Sequence, residues 1–556
     1  MKTYTVHSEY KAQKNSVIDI IRLNNLIDIN KYPVKDAWIN VGGWQSWNPG
    51  FEVAPEKIQP SLTCHFIKGW NKYLVFPETS FRPSKNIVLG HFVIYLRWEN
   101  FYLVFASVGN IYRTLPPVQF AVNRKDNSVT IEICDKGNKW KLNDITAEIE
   151  IFTASSYFEC RDKLSEIFNS DYFGKIESLG KNPGGWESWY NHYSHINEKL
   201  ILDDLETLTK TNNIISKGQY SSKIFQIDDG WEKALGDWNY RKDRFPNGLS
   251  PLISKIENEG YIPGLWIAPF IIDSRCQTAI DHPDWLLRAE KGNLVVAGYN
   301  PLWGKNGNFY CLDLSNDEVI SYLDSLMDKI INEWGFRYIK LDFLYAGMLY
   351  GQYQNETAAY KIYSRAIKTL TEKNQTKDGK AVTYLGCGVP FELSFKYLPL
   401  SRIGCDTFEH WENKMLRLIK WNGRNEAYLN IKDTLGHAMW NKTIFACDPD
   451  VIFIRSENCS LSKEQKFLIA GINTLFGSQL MYSDDPGKAG PEEEKLTEEI
   501  LDFINKYSEE EFGFEQKSED VFKLFSRSGI YEGSINLKTS QFQIYKNKND
   551  KIRSYN

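Results

Sequence analysis

The chain has 556 residues, of which 42% are hydrophobic and 25% charged, the balance of a globular protein with a large core. This length is too great for one ordinary domain and suits two or three. The net charge of −5 and the lack of a long basic run argue against nucleic acid as a partner.

The N-terminus and the cysteines bear on location. The opening segment MKTYTVHSEYKAQKNS has no apolar stretch, so we predict no signal peptide. No window approaches the ~18 consecutive apolar residues of a membrane helix, so we predict no membrane contact. The nine cysteines lack C-x-x-C spacing, which favours reduced thiols in a cytoplasm. With eight histidines and no His/Cys cluster, we expect no metal site.

The N-terminal third has the pattern of β-strands. Apolar or alternating runs lie at residues 87–98, 101–108, 129–133 and 147–154, with turn residues between them. A Gly/Pro-rich linker, SLGKNPGG, starts at Ser178. We therefore predict a β-sandwich domain over residues 1–178.

Beyond the linker, short apolar runs alternate with helical stretches. Eight such runs predict an α/β fold with a (β/α)8 TIM barrel over residues 179–490. An open doubly wound sheet is the alternative, but no G-x-G-x-x-G follows any strand. We expect Ser315 and Glu318 to form a capping box at the start of one helix. Residues 491–556 predict a small C-terminal β domain behind a charged helix. The predicted strands are residues 185–190, 223–227, 262–269, 337–344, 381–386, 402–406, 443–446 and 479–482.

The segment FRYIKLDFLY, the fourth predicted barrel strand, combines a cation and a carboxylate. Side chains alternate along a strand, so Lys340 and Asp342 are expected on one face. They could form a buried ion pair. Alternatively, Lys340 could keep Asp342 charged as a nucleophile, or could itself form a Schiff base as in aldolases.

Further polar residues fall at predicted strand ends, where barrel enzymes place their catalytic groups. Two carboxylates flanking a sugar bond are the minimum for a glycosidase. Asp406 is the candidate proton donor, although nearby Arg402 should lower its pKa unless Arg402 faces the substrate. Asp228 and Asp229 could instead cap a helix, and Asp448-Pro449-Asp450 fits a turn.

The ordered motifs GGWESWY (184–190), FQIDDGW (225–231), PGLWIAPF (263–270), YIKLDFLYAG (338–347), GCG (386–388) and RIGCDT (402–407) resemble the α-galactosidases of glycoside hydrolase family 36. GGWQSW (42–47) in the N-terminal part resembles that family too. The resemblance covers most of the chain, from the sandwich through the barrel. The length of the chain is similar to that of the compact bacterial members of the family. One departure is Cys405, where proline or serine is commoner before the acid.

The resemblance implies a role for each matching residue. Asp342 corresponds to the nucleophile and Asp406 to the acid/base. The other matching residues correspond to positions that contact or enclose the sugar. These are Asp228 and Asp229 on the 6- and 4-hydroxyls, Lys340 on the 3- and 4-hydroxyls, Arg402 and Cys387 near the 2-hydroxyl, and Trp266, Trp189 and Trp47 as walls.

The implied activity is that of a retaining α-galactosidase. It would remove terminal α-galactosyl groups from soluble oligosaccharides such as melibiose or raffinose by double displacement, without a cofactor. The alternatives are an α-N-acetylgalactosaminidase, a galactosyl-transferring enzyme of the raffinose-synthase kind, an aldolase and a non-catalytic sugar-binding protein. A homo-oligomer stays open, because N-terminal tryptophan loops in this family can lie near subunit contacts.

Overall fold

A parallel sheet that curls into a barrel forms the centre of the molecule. The computed structural model describes residues 2–8, 17–60, 81–133, 145–168, 178–300, 303, 307–355, 357–413 and 426–547. Barrel strands 1 to 8 are Gly184–Glu187, Lys223–Ile227, Ile262–Ile267, Tyr338–Leu341, Thr383–Gly386, Leu400–Arg402, Ala446–Asp448 with Val451–Ile452, and Leu480–Tyr482.

Strand 7 closes the ring in two pieces. Ala446–Asp448 pairs with strand 6, and Val451–Ile452 pairs with strand 8. Between the pieces, Asp450 has a left-handed φ of +79°. Strand 8 then pairs with strand 1, so parallel pairing runs round the whole barrel. The predicted (β/α)8 barrel is confirmed.

Helices cover the outside of the barrel. In Asp317–Asp328, for example, Val319, Leu323 and Leu326 recur at helical spacing and are buried. The main helices are Glu198–Lys210, Ile214–Lys217, Ser250–Asn258, Asp317–Asp328, Ala359–Thr371, Phe391–Ser394, Ala427–His437, Lys463–Phe476 and Pro491–Tyr507.

Two local predictions were wrong. Asn316, not Ser315, caps Asp317–Asp328: its side chain accepts from the Glu318 N–H at 2.8 Å, while the Ser315 hydroxyl donates to Asp313. Strand 6 ends at Arg402, so Asp406 lies in the following loop rather than in the strand. That loop is fixed by Asn430, whose Nδ2 donates to the Cys405 carbonyl at 2.7 Å.

The N-terminal part consists of two antiparallel sheets packed face to face, as expected for a sandwich. Phe105 of one sheet meets Phe120 of the other, with ring centroids 6.1 Å apart. Helix Tyr157–Phe168 follows the sandwich. The first sheet contains Lys2–Ser8, Ile145–Ala154, Phe101–Ser107, Val93–Trp98, Trp38–Asn40 and Glu52–Val53. The second contains Val17–Arg22, Ser128–Ile133, Val118–Asn123 and Ile87–His91.

The long apolar run at residues 87–98 is two strands rather than one. Phe92 interrupts it with a φ of +61°. Ile87–His91 belongs to the four-stranded sheet and Val93–Trp98 to the six-stranded sheet. Apart from His91 and Arg97, the run is apolar because both of its halves are buried in the sandwich or against the barrel.

A four-stranded antiparallel meander follows the last barrel helix. Its strands are Phe512–Gln516, Val521–Ser526, Tyr531–Asn536 and Gln541–Lys546. Phe542 packs on Phe467 of helix Lys463–Phe476, with ring centroids 6.2 Å apart. In the described part of the chain, no helix is long and apolar enough to cross a membrane.

Candidate active site

Four polar side chains from strands 1, 2 and 4 meet inside the barrel at its carboxyl end. The Lys340 Nζ donates to the Asp228 Oδ2 at 2.9 Å and lies 3.5 Å from the Glu187 Oε2. The Gln226 Nε2 donates to the same two oxygens, at 2.7 Å for Asp228 and 3.2 Å for Glu187. Asp228 accepts a further bond from the Asp229 N–H at 2.9 Å.

This cluster is almost fully enclosed, with Lys340 5%, Asp228 3% and Glu187 2% exposed. Burial raises the pKa of Glu187 to about 8, against the lowering effect of Lys340. Burial opposes the charge on Lys340, but Asp228 and Glu187 outweigh it and hold the lysine pKa well above its usual value. Lys340 is therefore a fixed cation.

Asp342 follows strand 4 directly. Its Oδ2 accepts from the Trp266 indole N–H at 2.9 Å, and its Oδ1 accepts from the Phe343 N–H at 2.7 Å. Phe343 has a left-handed φ of +54°, which turns the chain just after the acid. Among the described residues no ion pair joins Lys340 to Asp342, so the buried ion pair, one of the alternatives for this strand, is not observed. Two N–H donors hold the Asp342 carboxylate in one orientation instead.

Asp229 lies beside another acid. It is 3% exposed, and burial followed by repulsion from Glu232 raises its pKa well above the usual range. Its Oδ2 accepts from the Trp303 indole N–H at 2.9 Å, a contact that favours the charged form. Glu232 in turn accepts from the Gly230 N–H at 3.1 Å. Asp228 and Asp229 thus have different surroundings despite being adjacent.

Arg402 is held between two acids of strand 7. Its Nε donates to the Asp448 Oδ2 at 2.8 Å, and its Nη2 lies 2.7 Å from the Asp450 Oδ1. The third nitrogen, Nη1, reaches the Asp406 Oδ1 at 3.5 Å. The segment Asp448-Pro449-Asp450 therefore both anchors Arg402 and interrupts strand 7. Interpreting it as a turn alone missed this function.

Asp406 combines access with a raised pKa. Of its side chain, 35% is exposed, against 3% for Arg402. Desolvation and then repulsion from Asp450 raise the pKa of Asp406 to about 7, and they outweigh the lowering effect of Arg402. Asp342 adds to the rise. The candidate proton donor thus has a raised pKa although Arg402 lies 3.5 Å away.

Trp47 reaches the barrel from the N-terminal part of the chain. Its ring meets Phe343 at 5.2 Å and Tyr345 at 5.5 Å, directly beyond Asp342. Gly388 has a φ of +61°, and a Cβ there would lie 3.2 Å from the Trp47 ring. The neighbouring Ser46 bonds Val389 in both directions, with distances of 3.1 and 2.9 Å. The motifs GGWQSW and GCG are therefore in contact.

Cys387 and Trp189 are the last two of the site residues predicted from the sequence. Cys387 is 2% exposed, and burial followed by the nearby Asp342 raises the pKa of its thiol. Its N–H continues the pairing with strand 4 by donating to the Leu341 carbonyl at 2.8 Å. Trp189 is partly buried and its ring meets Tyr193 at 5.2 Å. No contact joins Trp189 to either proposed catalytic acid among the described residues.

Sequence reasoning missed four polar residues here and one tryptophan. Glu187 and Gln226 occupy strand positions whose side chains point into the barrel, a signal that strand periodicity alone could have supplied. Trp303 lies in an insertion far from any strand end, and no pattern marks it. Within the described residues, no group of three His, Cys, Asp or Glu side chains is arranged to bind a metal. The other two missed residues are Asp448 and Asp450.

Known proteins resemble the barrel in sequence. Residues 185–373 match the sequence model of the family named Melibiase. The chain is 28% identical over 232 residues to α-galactosidase Mel36A of Lactobacillus acidophilus, which is 38% of this chain and 28% of that protein. It is 32% identical over 125 residues to an α-galactosidase of Escherichia coli, which is 21% of this chain and 16% of that protein. The matches thus span under a third of either relative.

Solved structures match over nearly the whole chain. The α-galactosidase TtGalA of Thermus thermophilus, in complex with p-nitrophenyl α-D-galactopyranoside, has a TM-score of 0.70 and 26% identity over 92% of each chain. AgaA of Geobacillus stearothermophilus has a TM-score of 0.60 and 14% identity over 90% of this chain and 67% of that one. At 14% identity the second likeness concerns the fold alone.

Proposed function

We infer the function from one premise, that this chain belongs to the melibiase-type glycoside hydrolases of family 36. We propose that it is a retaining α-galactosidase that removes terminal α-galactosyl groups by double displacement. The observation that supports this most is the contrast between two acids at one end of the barrel. Asp342 is oriented by two N–H donors, whereas Asp406 has its pKa raised to about 7.

Asp342 is the proposed nucleophile. The hydrogen bonds from Trp266 and Phe343 fix both of its oxygens, so attack needs no search for the right rotamer. Attack on the anomeric carbon breaks the bond to the aglycone and gives a β-galactosyl ester on Asp342.

Asp406 is the proposed acid/base. A pKa of about 7 leaves a large protonated fraction that can donate to the departing oxygen. Once Asp342 becomes an uncharged ester, its repulsion of Asp406 disappears and the pKa of Asp406 falls. The same group can then accept a proton from the water that hydrolyses the ester.

The remaining residues are proposed to recognise galactose. Asp228 and Asp229 accept from the 6- and 4-hydroxyls, and the cation of Lys340 donates to the 3- and 4-hydroxyls. An equatorial 4-hydroxyl, as in glucose, would leave those buried charges unpaired, which disfavours glucosides. Arg402 and Cys387 lie near the 2-hydroxyl, and Trp266, Trp189 and Trp47 form walls.

Two other activities fit less well. A Schiff-base lysine needs a lowered pKa, but Asp228 and Glu187 raise that of Lys340. An acetamido group at C2 would need space beside the buried Cys387 and the anchored Arg402. Relative rates on an aryl α-galactoside and an aryl α-N-acetylgalactosaminide would show whether the enzyme is an α-N-acetylgalactosaminidase. Product analysis at high sugar concentration measures galactosyl transfer to other sugars.

We propose soluble oligosaccharides of the melibiose and raffinose type as substrates, and chemistry that uses no cofactor. TtGalA has been solved in complex with stachyose, which is an oligosaccharide of this class. A cytoplasmic location is also proposed, because seven cysteines are free thiols in the described residues. Assembly into a homo-oligomer stays a proposal that sedimentation would test.

The test uses Asp342→Ala with an aryl α-galactoside that carries a good leaving group. We expect kcat to fall by at least about 10³-fold, as for a lost nucleophile. Asp243→Asn, which alters an exposed acid paired with Arg241, is the control and should leave the rate unchanged. Activity of Asp342→Ala within about tenfold of wild type would refute the assignment. NMR of the first product should show α-galactose, whereas β-galactose would exclude retention.

A further inference from the structure

An insertion after strand 3 brings a tryptophan to the site that none of the motifs contains. Three short strands, Ile271–Ile272, Val296–Tyr299 and Asn308–Cys311, form a small antiparallel sheet above the barrel. Trp303 lies between the last two of these strands. The backbone N–H of Trp303 donates to the Asn300 carbonyl at 3.0 Å.

The insertion is attached to the catalytic end of the barrel. The Tyr345 hydroxyl, three residues after Asp342, donates to the Ala297 carbonyl at 2.9 Å in a buried position. Ile271, just beyond strand 3, pairs with Cys311 of the small sheet. The two strands on either side of Trp303 are thus anchored to the barrel.

Trp303 contacts both Asp229 and the aromatic residues around Asp342. Its Nε1 donates to the Asp229 Oδ2 at 2.9 Å. Its ring lies 5.3 Å from Phe343, 5.2 Å from Phe309 and 6.3 Å from Trp266. Because Trp266 donates to Asp342, two neighbouring indoles each bind a different acid.

The contact with Asp229 has a specific physical role. Asp229 is buried beside Glu232, so the two carboxyls repel one another. A fixed N–H donor on one oxygen of Asp229 stabilises its charge and limits its rotation, which leaves the carboxylate set to accept from a hydroxyl.

We propose that Trp303 is a positioning residue for galactose recognition, acting through Asp229. This proposal rests on the proposed function, because it takes the bound sugar to be the partner of Asp229. Removing the indole N–H should weaken substrate binding far more than it slows the chemical step, since Asp342 and Asp406 keep their own contacts.

The experiment is a double-mutant cycle with Trp303→Phe and Asp229→Ala, measured with an aryl α-galactoside. Trp303→Phe keeps an aromatic ring but loses the donor. We expect KM to rise about tenfold and kcat to change by less than about threefold. In the Asp229→Ala background the same change should cost less than about twofold, because the acceptor of the indole N–H is already gone. Equal penalties in both backgrounds would overturn the proposal.

Two further variants separate positioning from folding. Trp285→Phe removes another indole–carboxylate bond of the same insertion, that to Glu318 at 3.0 Å, and should leave KM unchanged. Trp303→His restores an N–H donor and should recover part of the KM. If Trp303→Phe does not fold, the cycle is run with Trp303→His instead. Fold-increases in KM for Trp303→His and Asp229→Ala that multiply fully in the double variant would also overturn the proposal. A wild-type enzyme that does not hydrolyse the substrate would refute the proposed function instead.

Discussion

Lys340 of strand 4 donates a hydrogen bond over 2.9 Å to Asp228, which directly follows strand 2, and makes no ion pair with Asp342 within the described residues. Asp342 lies two residues further along the same chain. The charge of the lysine therefore acts on Asp228 and Glu187, of which Asp228 is proposed to bind the sugar, while the proposed nucleophile depends on neutral N–H donors.

Replacing Lys340 by methionine should destabilise the fold as well as abolish activity. It leaves the Asp228 carboxylate buried without its cation, and breaking a buried pair from one side typically costs about 3–5 kcal/mol. We expect a clear fall in Tm and in kcat/KM. Adding Asp228→Asn should recover much of the Tm but none of the activity, because it removes the unpaired charge and a proposed sugar contact together. A Lys340→Met variant as stable as wild type would contradict this account.

The pH profile should report the protonation of Asp406. Its pKa is raised to about 7, and the protonated form is the proposed acid. For a substrate with a poor leaving group, kcat/KM should therefore fall about tenfold per pH unit above that value. Asp406→Asn should remove this basic limb. It should also spare activated aryl galactosides far more than oligosaccharides, because a good leaving group needs no proton. Equal losses on both substrates would speak against an acid role.

Much of this site was predictable because barrel strands end where the polar residues begin. Asp228, Lys340 and Asp342 follow short apolar runs, so their convergence follows from the fold. The partners of Lys340 were not predictable, since Glu187 and Asp228 come from other strands. Their distances depend on the curvature of the barrel.

Other misses also have physical causes. The run at residues 87–98 is mostly apolar on both sides of Phe92, where the chain passes from one sheet to the other. Hydrophobicity therefore gave no sign that this run contains two strands. Asp448 and Asp450 resemble turn residues because the chain does bend there, at a φ of +79° for Asp450. Their pairing with Arg402 is a tertiary contact. Trp303 could not be found from strand ends, because an insertion carries it.

Asp450 gives a way to change the pKa of Asp406 without touching either proposed catalytic acid. After desolvation, repulsion from Asp450 is the largest factor that raises this pKa, while Arg402 lowers it. Asp450→Asn removes the repulsion, and Asp448 continues to anchor Arg402 at 2.8 Å. We expect the basic limb of kcat/KM to move to lower pH. A limb that stays in place or moves to higher pH would show that Asp450 does not control the acid.

Glu392 makes the stability of the interface between the sandwich and the barrel depend on pH. It lies on helix Phe391–Ser394 and accepts from the Ser107 hydroxyl at 2.5 Å and the Val118 N–H at 3.0 Å, one from each sheet of the sandwich. Burial raises its pKa from 4.5 to about 8. Between those values the folded state retains a proton that the unfolded state has lost. Its contribution to the free energy of unfolding is therefore full below pH 4.5 and is lost as pH rises to about 8.

Glu392→Gln should remove this contribution without removing the contacts. The amide oxygen can accept from the Val118 N–H, and the amide nitrogen can donate to the Ser107 hydroxyl, which is free to turn. We expect the Tm of wild type to fall more steeply than that of Glu392→Gln between pH 5 and pH 8, so that the variant gains stability relative to wild type. Comparing the two curves cancels the contributions of Glu187 and Asp406, whose pKa values are raised too. Glu392→Ala leaves the Val118 N–H buried without its acceptor and should cost about 1–3 kcal/mol at every pH. Parallel curves for wild type and Glu392→Gln would mean that Glu392 does not titrate differently in the folded and unfolded states.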